Sequence, residues 1–451
     1  MKNTKPYDNY KPSGITWLGE IPQHWEVRKL KFVLYLQRGH DLPKDNFIEG
    51  NFPVFGSNGI IGFHNEYTTK SPCITIGRSG SVGKINFIKK DFWAHNTCLF
   101  VKQSNGNDWA YLWYLLNTID IKMVSNTTAV PTLDRKDVHE LFIAYAPLSE
   151  QITIARFLDY KLNKIDRFIL KKKKLIQLLN EQKAAIINDA VTKGLDPSVK
   201  MKDSGVEWLG DIPEHWKVRK LKYVADCFPS NIDKHLKEDE KSVRLCNYTD
   251  VYKNDFITNN MNLMIATATD DQIKKFTLLK GDVIITKDSE TANDIAVPAL
   301  VNEDLENVVC GYHLSVLRPT INLQGDYLFR ALQCKPINIQ FEVCSNGVTR
   351  VGLGVYDLKK AKIPIPLLEE QKAIVSHTEK ETATLNQAIA TIEKEIALVQ
   401  EYRTTLIAEA VTGKIQIMGN EQWELDNEAE ELDIEGEMGL DTEGGEEEVE
   451  I

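Results

Sequence analysis

The chain is 451 residues long, 42% hydrophobic and 26% charged, with 54 Lys+Arg against 65 Asp+Glu and a formal charge of −11. That is too long for one ordinary domain and too apolar for a disordered chain, so two or more packed domains are expected. Taken whole, −11 argues against a nucleic-acid binder, but residues 421–451 carry fifteen acids and no Lys or Arg, and the remainder holds 50 acids against 54 bases.

At the N-terminus, MKNTKPYDNYKPSG is polar with no apolar core. No run anywhere approaches the roughly 18 apolar residues of a membrane span, and the expectation is a soluble, cytoplasmic protein. Cys73, Cys98, Cys227, Cys246, Cys310, Cys334 and Cys344 form no CxxC pair. This odd, scattered set suits a reducing compartment and reads as small core residues with no metal framework.

Internal similarity then organises the chain. Residues 13–33, SGITWLGEIPQHWEVRKLKFV, recur at 204–224 as SGVEWLGDIPEHWKVRKLKYV, identical at fifteen of twenty-one positions at an offset of 191. Ile76-Gly77-Arg78 aligns with Ile285-Thr286-Lys287 at offset 209, and Tyr111-Leu112 with Tyr327-Leu328 at 216. From Ser125-Asn126 and Ser345-Asn346 the offset is 220 and stays there through Leu133/Leu353, Asp137/Asp357, Gln151/Gln371 and Ala190-Val191-Thr192/Ala410-Val411-Thr412. The chain is therefore two tandem halves whose globular parts diverged while the segments after them kept their length. The recurring tryptophans Trp17, Trp25, Trp208 and Trp216, beside Pro22 and Pro213, read as a packed apolar cap edged by Arg28-Lys29-Lys31 and Arg219-Lys220-Lys222, a structural or partner-docking element.

Each globular part looks α+β: Ile74–Ile76, Cys98–Val101 and Asp282–Thr286 read as strands and Trp109–Leu116 as a short helix. From Gln151 to Thr192 and from Gln371 to Thr412 there is no Pro or Gly, and Gly194 and Gly413 stand where helices stop. A 4-3 spacing runs through Leu158, Leu162, Ile165, Ile169, Lys172, Ile176, Leu179, Lys183, Ile186 and Ala190. The second segment keeps that register through Thr378, Thr382, Leu385, Ile389, Ile392, Ile396, Val399, Arg403, Leu406 and Ala410. About six heptads predict two coiled-coil arms, each roughly 60 Å long, which is more than a domain needs to cover itself. The first arm holds ten bases and four acids and the second five bases and six acids, so paired arms attract, with Lys172 and Lys183 placed to sit opposite acids or near DNA; an ordinary solvated face is the alternative.

No enzyme signature survives inspection. GRSGSVGK resembles a phosphate loop, but five residues separate Gly77 from Gly83 and Ile85 stands where Ser or Thr would hold Mg²⁺. Glu181-Gln182-Lys183 and Glu370-Gln371-Lys372 imitate a nuclease Glu-x-Lys, with helix-surface charge the better reading. The loop after Ile76 is more informative. Arg78, Ser79, Ser81 and Lys84 among glycines, with Lys287 and Ser289 in the second half, suit phosphate or base-edge contacts; an ordinary glycine turn with solvated charges is the alternative. Asn96 beside His95, His313 beside Tyr312, Arg135 and Arg350 are further candidates for DNA contact.

Two variable α+β modules, each preceded by SGxxWLGxIPxHWxVRKLK and followed by PLSEQ (147–151) or PLLEEQ (366–371) and a long helix, resemble the specificity subunit of type I restriction-modification enzymes over about residues 10–415. The resemblance implies two target recognition domains, each reading one half of a bipartite, asymmetric double-stranded DNA site. They would be joined by two helices packed as an antiparallel coiled coil, with a pseudo-twofold internal repeat. The implied organisation is recognition domain 1 at 1–150, helix 1 at 151–194, domain 2 at 195–370 and helix 2 at 371–414, while composition reads 415–451 as an acidic, disordered tail. It further implies a non-catalytic chain that binds no cofactor, partnered by two modification subunits using S-adenosylmethionine and by restriction subunits using ATP and Mg²⁺. A protein-binding scaffold with two repeated modules is the alternative from another class.

The acidic stretch lies outside the resemblance. Its charge suggests weak competition with DNA for the basic surface, or a solubilising role. Truncation after Gly419 is expected to raise non-specific DNA affinity at low salt or to reduce solubility, read by titration on a random duplex and by sedimentation. No change in either leaves the stretch without a role.

Overall fold

The computed structural model describes residues 4–124, 132–320, 322–347 and 350–418, so the Ser125-Asn126 match and the acidic stretch lie outside the described residues. Two compact units form, one from the chain up to Lys172 plus the chain from Lys394, the other from Lys173 to Glu393. The boundaries fall within the two long helices, Leu148–Lys193 and Leu368–Val411, so each unit is a globular part with a piece of both helices.

In the first unit a four-stranded antiparallel sheet has the order Tyr35–Arg38, Cys98–Gln103, Cys73–Gly77, Ile85–Ile88. Cys73–Gly77 is buried along its whole length, as suits an inner strand with few polar side chains. The helix Trp109–Thr118 begins where the Asp108 carboxylate accepts the Tyr111 N–H at 2.8 Å, and it turns Tyr111, Leu112, Leu115 and Leu116 into the core. The second unit repeats the strand order as Ala225–Pro229, Leu314–Pro319, Val283–Thr286, Pro298–Val301, then adds Phe256–Ile257. It also adds a helix, Lys335–Cys344, after Gly325–Gln333. The internal repeat thus extends to topology, well past the residues that match in sequence.

The recurring motif supplies a strand in each unit: Glu26–Lys29 pairs antiparallel with Phe142–Tyr145, and Lys217–Lys220 with Lys362–Ile365. Each partner strand leads directly into a long helix. The arms are helical as expected, starting three residues before the expected starts at Gln151 and Gln371.

Within each unit the two helices run antiparallel. In the first, Ile154, Leu158 and Leu162 share a core with Leu406, Ile407 and Ala410. The seam closes with Asp166 to Arg403 at 3.2 Å and Lys172 to Glu395 at 2.8 Å. In the second, Ile187, Ala190 and Val191 share a core with Ile374, and Lys183 meets Asp255 at 3.5 Å. Both seam lysines therefore face acids. Ile169, Ile392 and Ile396 are buried, while Ile165, Leu385 and Ile389 are half-buried. Thr378 and Thr382 are buried in seam positions because their hydroxyls donate to the carbonyls of Val375 and Thr378.

Two expectations need correction. Six cysteines are buried, but Cys344 is exposed at the end of its helix. Trp25 and Trp216 are fully buried, whereas Trp17 and Trp208 are 49% and 40% exposed, so the cap contains one tryptophan per unit. Among the described residues, no helix is long and apolar enough to cross a membrane.

Gly413 ends the second long helix at φ +77°, and a Cβ there would lie 2.4 Å from Pro22 Cδ and 3.0 Å from Trp25 Cζ3. Gly413→Ala should therefore cost about 1–3 kcal/mol. Gly14, also at positive φ but facing open space, carries only the backbone part of that cost. Thermal unfolding of both variants checks this; equal loss at the two sites removes the packing argument.

Candidate nucleic-acid interface

The scaffold of the interface is fixed where each recurring motif meets the start of a long helix. Trp25 Nε1 donates to Glu150 Oε2 at 3.1 Å, His24 Nε2 lies 2.5 Å from Glu150 Oε1, and Tyr7 Oη donates to Glu150 Oε2 at 2.7 Å. In the second unit Trp216 Nε1 donates to Glu370 Oε1 at 2.9 Å and His215 Nε2 lies 3.0 Å from Glu370 Oε2. Burial and the Glu150 carboxylate together hold the Tyr7 phenol protonated, far above its ordinary range. Glu370 is thus an acceptor for the motif, which corrects its reading as helix-surface charge.

The next residue is equally constrained. Gln151 is fully buried, accepts the Asp108 N–H at 3.1 Å and donates to the carbonyl of Ala146 at 2.9 Å. Gln371 does the same between the Gln324 N–H, at 3.0 Å, and the Pro366 carbonyl, at 3.0 Å. The sequence marked these glutamines only as matching positions; their role follows from burial, since a buried amide needs partners on both of its ends.

On this scaffold the expected contact residues gather at the loops that follow the inner strands. In the first unit the loop from Arg78 to Lys84 closes tightly, with the Gly77 N–H bonded to the Lys84 carbonyl at 2.7 Å and the Gly83 N–H to the Gly77 carbonyl at 2.9 Å. Gly80 and Gly83 take positive φ, and Gly77 has Ser81 O 2.1 Å from where a Cβ would stand. Arg78 is half-buried and its guanidinium has no hydrogen-bond partner among the described residues. Ser79 bridges Thr132, and the Leu133 N–H donates to the Arg78 carbonyl at 2.9 Å, drawing in the segment that leads to Arg135.

Other expected contacts are engaged within the protein. Lys84 Nζ donates to the Asn58 carbonyl at 2.6 Å, Asn96 donates to Asp41, and Arg135 donates to Tyr35 Oη at 2.8 Å. Lys287 lies over the Tyr312 ring at 4.8 Å and His313 meets Asp288 at 2.6 Å. Ser289 is 3% exposed, so it supports its loop and presents no donor outward, a correction to its reading as a contact residue. Arg350 is exposed on the segment beside that loop. Among the described residues, no group of three His, Cys, Asp or Glu side chains is placed to hold a metal ion.

Comparison with known proteins gives this arrangement a family. The model for the type I restriction modification DNA specificity domain matches residues 22–180 and 213–397, once in each half, and the chain belongs to that family. It is similar to the type I restriction enzyme MjaVIII specificity subunit of Methanocaldococcus jannaschii, 23% identical over 415 residues, 88% of this chain and 94% of that protein. It is also similar to the type I restriction enzyme EcoBI specificity subunit of Escherichia coli, 24% identical over 319 residues, 67% of this chain and 64% of that one. A solved chain from work on complex assembly and conformational transition of the type I R-M system matches 87% of this chain and 99% of its own length. Its TM-score is 0.62 at 13% identity, a likeness of fold. The chain is therefore a specificity subunit, the non-catalytic DNA-recognising component of a type I restriction-modification system.

Arg78→Ala should alter one half of the recognised site and leave the other intact. Sequencing of the modified sites produced by the reconstituted complex reads this; equal loss in both halves would mean a folding defect or a general phosphate contact.

Proposed function

We propose that each unit reads one half of a bipartite, asymmetric DNA site, with domain 1 at 1–150 and domain 2 at 195–370, and that the paired helices at 151–194 and 371–414 set the unspecified spacer. The observation that carries this is the contrast between the halves. Strand order, helix-start clamp and helix length are kept, while the loops after the inner strands differ in charge and length. Common supports with different tips suit two readers of different sequences on one duplex.

The proposal assigns chemistry to partners. Two modification subunits would bring S-adenosylmethionine and methylate adenine, and restriction subunits would bring ATP and Mg²⁺ for translocation and cleavage, in the cytoplasm. Support for two equivalent docking places comes from Phe32 and Tyr223, which occupy the same motif position and are 64% and 66% exposed, and from the exposed Trp17 and Trp208 near the start of the same repeated motif. An aromatic kept on both surfaces has no core to explain it, whereas binding the same partner twice does.

Four residues inserted into a helical arm should lengthen the unspecified spacer and leave both half-sites unchanged, as read by sequencing modified adenines. An unchanged spacer removes the ruler. Sequence-selective, salt-dependent DNA binding by the reconstituted complex separates this reading from a purely protein-binding scaffold, which would show none at any salt.

A further inference from the structure

The loop after the inner strand of the second unit runs beside the segment that ends at Leu353. Asp288 pairs with Gly352 and Ser289 with Val351, and the Leu353 N–H donates to the Lys287 carbonyl at 2.8 Å. The bridge from Ser79 to Thr132 and the bond from the Leu133 N–H to the Arg78 carbonyl occupy the same places in the first unit, at offsets 209 and 220. The paired loops are therefore shared architecture, and their tips are where the halves are free to differ.

One step beyond Ser289 and Val351, the register sets Glu290 across from Arg350. Both line a cleft of about 250 Å³ walled by Tyr248 and Tyr252, whose rings stack at 5.6 Å. Neighbouring charges are already committed: Asp288 to His313 at 2.6 Å, and Asp294 to the Tyr252 hydroxyl at 2.7 Å. Glu290 and Arg350 are exposed, and among the described residues neither side chain has a hydrogen-bond or ion-pair partner.

An unpaired carboxylate on a surface that meets phosphates is repelled unless it accepts a hydrogen bond from a base. Cytosine N4 offers that donor in the major groove, and guanine O6 and N7 on the same base pair accept the arginine fork. We infer that Glu290 and Arg350 together read one G·C pair of the second half-site, Glu290 on the cytosine amino group and Arg350 on the guanine edge. The inference rests on the DNA-reading assignment above. Ser81 occupies the position of Glu290 in the first unit, so that half has no carboxylate there.

The test reconstitutes the complex with the wild-type chain, with Glu290→Gln and with Arg350→Ala, and sequences the modified sites. In both variants the same G·C position of the second half-site should become degenerate, with discrimination there falling on the order of tenfold. The first half-site and the spacer should stay as they are, which also controls for folding. Should a variant modify too little DNA to score, its affinity for duplexes carrying each base pair at that position reads the same loss. Full stringency in both variants, relaxation at two different positions, or loss spread over both half-sites overturns the inference. A wild-type complex with no bipartite site would instead overturn the DNA-reading assignment itself.

Discussion

A half-buried carboxylate at the start of each long helix is the contact on which the rest depends. Glu150 and Glu370 accept the indole N–H of Trp25 and Trp216, the largest fully buried side chains of their units. A buried indole N–H needs an acceptor and a half-buried carboxylate needs donors, so each group removes the other's desolvation penalty. A charge-assisted bond of this kind contributes about 1.5–3 kcal/mol. Its larger effect is geometric: with the indole fixed in the core, the helix start cannot slide. In each unit the end of the opposite helix is then held against the same tryptophan, Gly413 at Trp25 and Gly194 at Trp216. One side chain thus sets both the position and the antiparallel sense of the helices in its unit.

That clamp explains why identity is concentrated where it is. Pro22, His24, Trp25 and the strand Glu26–Lys29 each meet a helix end or its feeding strand, and their second-half counterparts do the same. Change at one of these positions would be felt in strand pairing and in helix placement at once. The loops at the far ends of the inner strands carry no such double duty. One is a short glycine turn with Arg78 and Lys84; the other is longer and carries Lys287, Asp288 and Glu290. Divergence at such tips changes what is read and leaves the reader's frame alone.

Sequence by itself determined the internal repeat, the two helices with their heptad register, and the family resemblance, because identity, periodicity and the lack of Pro and Gly are local or one-dimensional signals. It also marked Arg78 and Arg350. What it hid is pairwise and long-range. That Glu370 belongs to Trp216 across 154 residues, that Gln151 bridges two elements, that Ser289 is buried while Glu290 is not, and that Trp17 and Trp208 stay exposed beside buried partners all depend on which groups end up facing each other. A carboxylate or an amide reads the same in a string whether it is solvated or enclosed. Only tertiary packing assigns it a partner, because the cost of burying a polar group is settled by the group that comes to lie opposite it.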